Sequence, residues 1–365
     1  MAKKVMLLGN HGFVIYNFRK ELIKELLKEG YEVYISLPYD EKVEIMKSWG
    51  CHYIETKVDR RGINPIKDFM LLMHYFFILI KIKPKAVLSY TIKPNLYGGI
   101  ACRLLKIPNL KNITGLGSGF AKGKLFTKFL VFLYRISHKD EDITFFQNQE
   151  DMTALVDRRI IKENYQLIPG SGVNLAEYEF KSYPNDKNST FLFIGRIMKE
   201  KGIDHFLEAA KFIKKKYPNT NFEVIGFVED TDLHYKELLK ELHDDGFIRY
   251  LGYQNNVIPF IENAHCLIQP SYSEGLSNVL LESAAIGRAL IASDIHGCKE
   301  TIDEGENGFT FEVKNTNHLI GQIENFLSLS QFEKELMGLH SRKKIENEFD
   351  RRTVVSMYMK KIRNY

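Results

Sequence analysis

Short apolar runs alternate with stretches of helical period along nearly the whole chain. VMLLG (5–9) is followed by NFRKELIKELLKEG (17–30), EVYISLP (32–38), EKVEIMKSWG (41–50) and HYIETK (52–57). Strand-length apolar runs that alternate with amphipathic helices predict βαβ units on a parallel sheet. The pattern continues through KAVLSYT (85–91), a helix-like YGGIACRLLK (97–106), NLKNITG (109–115) and DITFFQN (142–148), and a first domain closes near QLIPGSG (166–172).

AEYEFKSYPNDKNS (176–189) is polar and has no sustained period, so it reads as a linker or surface loop. A second series then begins: FLFIG (191–195), IDHFLEAAKFIKKKY (203–217), NFEVIGF (221–227), HYKELLKELHDDG (234–246), IRYLG (248–252), CLIQP (266–270), SNVLLESAAIG (277–287), ALIAS (289–293) and GFTFEV (308–313). A charged, helical stretch runs from about Asn317 to the end. The expected division is a first Rossmann-like domain over 1–172, a linker over 173–189, a second such domain over 190–345, and a C-terminal helix over 346–365 that packs back on the first domain.

Length and composition fit this division. The chain has 365 residues, too many for one typical core, and 44% hydrophobic with 27% charged residues is an ordinary globular balance. The 51 basic and 46 acidic residues leave a net charge of +5, too small an excess to mark a nucleic-acid binder. Cys51, Cys102, Cys266 and Cys298 are scattered without zinc or disulfide spacing, so they read as reduced thiols of a cytosolic protein. The N-terminal apolar run is too short for a signal peptide. FMLLMHYFFILI (69–80) has 12 residues, well short of the roughly 20 that span a bilayer.

In open α/β sheets ligands bind beyond the carboxyl ends of the strands, where loops lead into helix N-termini that favour anions. The candidate loops are GNHG (9–12), TGLGSG (114–119), GSG (170–172), GRIMKEKG (195–202), SYSEGLS (271–277) and SDIHG (293–297). GRIMKEKG puts Arg196 and Lys201 beside a helix start, which suits a diphosphate: Arg brings a planar fork and Lys a mobile charge. The alternative is a solvated basic loop. In SYSEGLS, Ser277 is a natural N-cap and Gly287 a helix stop, so Glu274 falls in the loop and Glu282 in the second helical turn. In one continuous helix the two would sit roughly 80° apart. Either carboxylate can read sugar hydroxyls, and Glu282 can equally be a solvated helix residue.

Other features point less sharply. The triplets Asp140/Asp142 and Asp230/Asp232 have the spacing of carboxylates that hold magnesium or manganese at a diphosphate, but both lie in charged surroundings that favour solvated loops. GNHG lacks the register of a dinucleotide fingerprint, and His11 is either a general base at the edge or a polar loop residue. Lys122, Lys124, Lys128, Arg135 and Lys139 interleave with Leu, Phe and Tyr in a segment able to lie on an anionic membrane, and FMLLMHYFFILI, ending in KIKPK, can add to that surface. Both stretches can equally be core helices with snorkelling lysines.

GRIMKEKG with its following helix, PSYSEGLSNVLLESAAIGRALIAS (270–293) and ENGFTF (306–311) together resemble the C-terminal half of glycosyltransferase family 4. YNFRKEL, DRRGINPIKD, SYTIKPNLYGG, NITGLGSGF and IPGSGVNL look like the bacterial subgroup that extends lipid-linked oligosaccharides, which includes PglA-type N-acetylgalactosaminyltransferases and capsule or O-antigen enzymes. The resemblance implies a GT-B fold, α/β, with two Rossmann-like domains facing each other across a cleft. It also implies retention of anomeric configuration, no required cofactor or metal ion, and a UDP-linked sugar donor, UDP-N-acetylgalactosamine being one candidate.

The family's E-x7-E motif falls on Glu274, near the donor sugar, and Glu282, at the ribose; its Arg/Lys pair falls on Arg196 and Lys201. Gly195, Gly226, Gly275, Leu276, Ser277, Asn278 and Val279 would complete the donor site, the backbone amides of Gly275–Asn278 facing the departing phosphate. Asn10, His11, Gly12, Lys93, Asn95, Gly117 and Ser118 are the candidates on the acceptor side. The partners implied are a polyprenyl-diphosphate-linked saccharide and the inner surface of the cytoplasmic membrane, where the protein would bind peripherally. One departure is that His296–Gly297 stands where many members carry two glycines. Competing readings are an isomerase like UDP-N-acetylglucosamine 2-epimerase and a non-catalytic subunit of polysaccharide assembly.

Overall fold

A computed structural model describes residues 3–59, 62, 64–115, 124–139, 142–186 and 188–365. The chain divides into two compact units, one of residues 1–171 with 352–365 and the other of residues 172–351.

The first unit holds, among the described residues, strands β1 (Lys3–Leu8), β2 (Tyr31–Leu37), β3 (His52–Glu55), β4 (Ala86–Tyr90), β5 (Asn109–Ile113), β6 (Ile143–Phe146) and β7 (Tyr165–Leu167). All pair in parallel, in the order β3-β2-β1-β4-β5-β6-β7. Helices α1 (Gly12–Lys28), α2 (Glu41–Ser48), α3 (Pro65–Ile82), α4 (Gly99–Leu105), α5 (Lys124–Ser137) and α6 (Gln149–Val156) make the crossovers. β4 and β5 are buried along their whole length, as strands covered on both faces must be.

The second unit repeats the plan with β8 (Ser189–Ile194), β9 (Thr220–Ile225), β10 (Arg249–Tyr250), β11 (Cys266–Gln269), β12 (Ala289–Ser293) and β13 (Gly308–Phe311), ordered β10-β9-β8-β11-β12-β13 and again parallel. Helices α7 (Ile203–Lys216), α8 (Tyr235–Asp244), α9 (Ile258–Asn263), α10 (Asn278–Ile286), α11 (Thr316–Ser328) and α12 (Gln331–Glu348) follow, and α13 (Arg351–Ile362) ends the chain. The strand order reverses between β1 and β4 in one sheet and between β8 and β11 in the other. Those two switch points are where the fold opens a crevice at its carboxyl edge.

α13 buries Val354, Tyr358, Met359 and Ile362 in one cluster with Val5, Leu7, Leu88 and Phe145 of the first sheet. The Tyr358 hydroxyl is hydrogen-bonded to Asn112. The polar segment 173–189 is not a loose tether. Tyr183 donates to the carbonyl of His265, and the buried Arg288 guanidinium donates to the carbonyls of Lys181 (3.2 Å) and Ser182 (3.1 Å). Its anchors lie on distant elements, so its own lack of period says nothing of its order. All four cysteines are buried free thiols, and burial pushes Cys51 up to about 12.

Candidate active site

At the second unit's switch point the loop after β8 meets the loop after β11. Lys199–Lys201 forms a single 3-10 turn, and Gly202 then takes φ 67° to enter α7. A Cβ at Gly202 would stand 1.9 Å from the carbonyl oxygen of Pro270, so only glycine lets the two loops approach. The Tyr272 amide donates to Glu200 O at 2.9 Å, and the Tyr272 hydroxyl lies 2.9 Å from His205 Nε2, which fastens the second loop to the first.

This approach sets Lys201 Nζ 2.5 Å from Glu274 Oε1. The same oxygen accepts from Ser271 Oγ at 2.8 Å and Gln269 Nε2 at 3.1 Å, both donors standing on buried residues at the end of β11. Gln269 Nε2 also donates to Ser271 Oγ at 2.7 Å. Among the described residues every donor to Glu274 therefore converges on one oxygen. Oε2 accepts from no described residue, so an anchored carboxylate keeps one oxygen for a ligand hydroxyl. Sequence reasoning missed Gln269 and Ser271; the signal was a Gln inside the apolar run CLIQP, since a buried amide needs partners.

α10 begins where expected. Ser277 caps it by accepting from Leu280 N at 3.5 Å, and Gly287 stops it at φ 90°. The Ser277 amide, expected to face a phosphate, instead donates to Gly297 O at 2.7 Å. The first-turn amides of Asn278 and Val279 are the ones the helix leaves for a ligand. Gly297, at φ 87°, would carry a Cβ 2.7 Å from Glu274 O, so it presses on the back of the glutamate loop. Its neighbour His296 lies 3.3 Å from Glu300 Oε1. The amides of Gly195 and Gly226 are likewise committed, to Ile225 O (3.0 Å) and Gly252 O (2.9 Å), and supply no donor. Leu276 is buried, and Val279 packs on the same core, which pins the loop from beneath.

Arg196 and Lys201 do not act on one partner: Arg196 Nη1 pairs with Glu229 Oε1 at 2.7 Å. Glu282 is half-buried in α10 and hydrogen-bonded to Tyr178, whose phenol is pushed up by burial and by that carboxylate. One member of each acidic triplet is otherwise engaged. Asp142 is buried, accepting from Lys111 Nζ (2.6 Å), Asn109 N (3.1 Å) and Lys139 N (3.1 Å), which makes it a structural anion. Asp140 lies outside the described residues. Asp232 accepts from Thr231 Oγ1 (2.5 Å) and Lys199 N (3.4 Å). Among the described residues no group of three or more His, Cys, Asp or Glu could hold a metal ion.

At the first unit's switch point, Asn10, His11 and Gly12 follow β1. His11 Nδ1 is 2.9 Å from Asp40 Oδ2, which also accepts from Phe13 N at 2.9 Å, and a Cβ at Gly12 would fall 2.2 Å from Asp40 Oδ1. Asp40 is a partner that spacing gave no means to find. After β4, Lys93 Nζ meets Asp68 Oδ1 at 2.6 Å and Tyr97 donates to Asp68 Oδ2 at 2.9 Å. Asn95 is buried and donates to Asn112 O at 2.7 Å. Gly117, Ser118 and Lys122 lie outside the described residues.

α3 is neither wholly core nor wholly surface. Leu71, Tyr75, Leu79 and Ile82 are buried, while Ile66, Phe69, Met70, Phe77 and Ile80 are exposed. On α5, Phe129 and Phe132 are exposed beside exposed Lys128 and Arg135. No helix among the described residues is long and apolar enough to cross a membrane.

Residues 176–342 match the family model described as glycosyl transferases group 1, and residues 4–148 match the glycosyl transferase 4-like model. The chain is 26% identical, over 98% of its length and 97% of the relative's, to the N,N'-diacetylbacillosaminyl-diphospho-undecaprenol alpha-1,3-N-acetylgalactosaminyltransferase of Campylobacter jejuni. It is 25% identical to the capsular polysaccharide biosynthesis glycosyltransferase CapM of Staphylococcus aureus, covering 90% of this chain and 88% of CapM. An Escherichia coli UDP-Gal:alpha-D-GlcNAc-diphosphoundecaprenol alpha-1,3-galactosyltransferase is 23% identical, over 80% and 78%. The structure of Anabaena HepE in complex with UDP and glucose superposes with a TM-score of 0.81 over the whole of both chains at 15% identity, a likeness of fold.

Proposed function

Since the chain belongs to the glycosyltransferases of the GT-B fold, with a 4-like first half and a group 1 second half, we propose that it moves a hexose or N-acetylhexosamine from a UDP-sugar to an undecaprenyl-diphosphate-linked saccharide, with retention of configuration. The observation that carries this reading is Glu274, held through Oε1 by Lys201, Ser271 and Gln269 with Oε2 left over, beside the open end of α10.

In this reading Glu274 Oε2 accepts from hydroxyls of the donor sugar, and Glu282 from the ribose. The donor diphosphate draws Lys201 and Arg196 from their carboxylates, and with the amides of Asn278 and Val279 they take up the charge that grows on the leaving group. The bond from the anomeric carbon to the phosphate oxygen breaks, the acceptor oxygen bonds to that carbon on the same face, and the departing diphosphate takes the acceptor proton. The step needs no metal ion and no covalent enzyme intermediate. The undecaprenyl-linked substrates named for the relatives support the acceptor class, and UDP bound in HepE supports the donor class. The exposed apolar and basic faces of α3 and α5 suit the cytoplasmic surface of the membrane in which such an acceptor sits.

Lys201→Ala and Glu274→Gln, assayed with a panel of UDP-sugars and a lipid-diphosphate-linked saccharide, are expected to lose about 10²- to 10³-fold in transfer with the thermal midpoint nearly unchanged. Full activity in both would overturn the assignment. An epimer formed from UDP-N-acetylglucosamine without acceptor would replace the reading by an isomerase.

A further inference from the structure

We propose that Asp68 is a positioning residue that couples docking of α3 on an anionic lipid surface to the shape of the loop after β4, and so to the placement of Lys93; the inference rests on the membrane-surface reading above. α3 is apolar on two opposite stripes. The inner one, Leu71, Tyr75, Leu79 and Ile82, is buried in the first unit's core. The outer one faces solvent, with Ile66 73%, Met70 65% and Phe77 60% exposed. A helix apolar all round is normally covered all round. What covers the outer stripe is indicated by charge: Lys67 stands exposed at its start and Lys81, Lys83 and Lys85 at its end, and Asp68 is the helix's sole carboxylate and is buried. An apolar stripe rimmed by lysines matches an anionic headgroup layer over acyl chains.

The covered helix is tied to the acceptor loop at two points. Asp68, in the first turn of α3, accepts from Lys93 Nζ at 2.6 Å and from the Tyr97 hydroxyl at 2.9 Å, and all three groups are largely buried. The π-helical turn Pro94–Gly98 packs against both α3 and α5, each of which carries exposed phenylalanines.

The loop itself is held under tension. Thr91, a β-branched residue, stands at φ 72°, where such residues are rare and strained. Thr91 Oγ1 and Asn95 Oδ1 are buried without a hydrogen-bond partner among the described residues. A π-turn, a left-handed threonine and two orphaned oxygens, all within residues 91–98, describe a segment kept in place by its neighbours, and Asp68 is the neighbour that moves with α3.

Hydrogen exchange on the full chain tests this without knowledge of the sugar. Phosphatidylglycerol-containing vesicles are expected to slow exchange in α3 and in Thr91–Gly98 by at least about threefold, and phosphatidylcholine vesicles to do neither. Asp68→Asn should still bind the anionic vesicles and protect α3 but lose the protection of Thr91–Gly98. Tyr97→Phe, which removes one of the two ties and leaves the salt bridge, should lose part of it and serves where the first variant does not fold. Phe77→Glu should lose both effects. Protection of Thr91–Gly98 in both tie variants at the wild-type level, or protection of α3 alone in the wild type, would overturn the coupling while leaving membrane docking intact. A wild-type protein that ignores anionic vesicles would overturn the docking reading and the coupling with it.

Discussion

The two switch points carry the same pair of groups on different supports. In the second unit Lys201 and its carboxylate Glu274 both stand on loops of the sheet's own carboxyl edge, and of the donors that fix Glu274, Gln269 ends the adjacent strand and Ser271 opens the loop that follows it. In the first unit Lys93 stands on such a loop, but its carboxylate Asp68 comes from α3, a helix whose outer stripe is exposed. The edge proposed to bind the donor is thus determined by the unit's own packing. The edge proposed to bind the acceptor takes its position from a helix with an exposed outer stripe. That difference fits a reaction in which one substrate diffuses in water and the other is anchored in a membrane.

The backbone shows the same contrast. The donor edge meets its tight approach with a residue suited to it, Gly202 at φ 67°, whereas the acceptor edge has Thr91 at φ 72°. Gly202→Ala would drive a Cβ to 1.9 Å from Pro270 O and force the β8 and β11 loops apart. It is expected to cost about 2–4 kcal/mol of stability and nearly all donor binding. Unfolding followed by circular dichroism should shift strongly, while the fluorescence of Trp49, the single tryptophan and a residue of the first unit, shifts less. A variant with wild-type stability and donor affinity would show that the close approach of the two loops is dispensable.

How far the two edges could be read from the chain follows from where their partners lie. The strand and helix alternation gave both sheets because buried parallel strands are continuous apolar runs, as in Val5–Leu8 and Ala289–Ala292. α9 went unread because six residues are too few to show a helical period; α6 went unread as well, although α2 and α4, no longer than it, were legible. Arg196, Lys201, Glu274 and Glu282 stood out because they flank two strand-to-helix loops. Local sequence could not show that Lys201 faces Glu274 while Arg196 faces Glu229, since both pairings are set by how strands order in the sheet. Asp40 and Asp68 were illegible for the same reason: each lies more than 20 residues from the group it serves. Tyr178, which holds Glu282, sits in a stretch whose composition reads as linker.

A smaller effect separates anchoring from contact at the donor edge. Ser271→Ala removes one of three donors to Glu274 Oε1 and leaves Lys201 and Gln269 in place. About a three- to tenfold fall in kcat/KM for the donor is expected, with the KM for the acceptor unchanged. An equal loss with both substrates would mean that Ser271 supports the fold of the loop as a whole rather than the aim of one carboxylate.

The smallest expected change is the most pointed test of the acceptor edge. Thr91→Gly removes a Cβ from a left-handed position, relieving about 1 kcal/mol, and adds a comparable freedom to the unfolded chain. The hydroxyl lost is one that bonds to no described residue. The two contributions nearly cancel, so the unfolding midpoint read from Trp49 should stay within about 1 kcal/mol of wild type. If threonine is there to keep the loop under tension, the glycine variant will let Thr91–Gly98 exchange faster in the absence of vesicles and respond less to their addition. If the midpoint instead falls by more than about 2 kcal/mol, the threonine side chain contributes packing that outweighs its backbone cost, and the contrast with Gly202 is one of packing, not of strain.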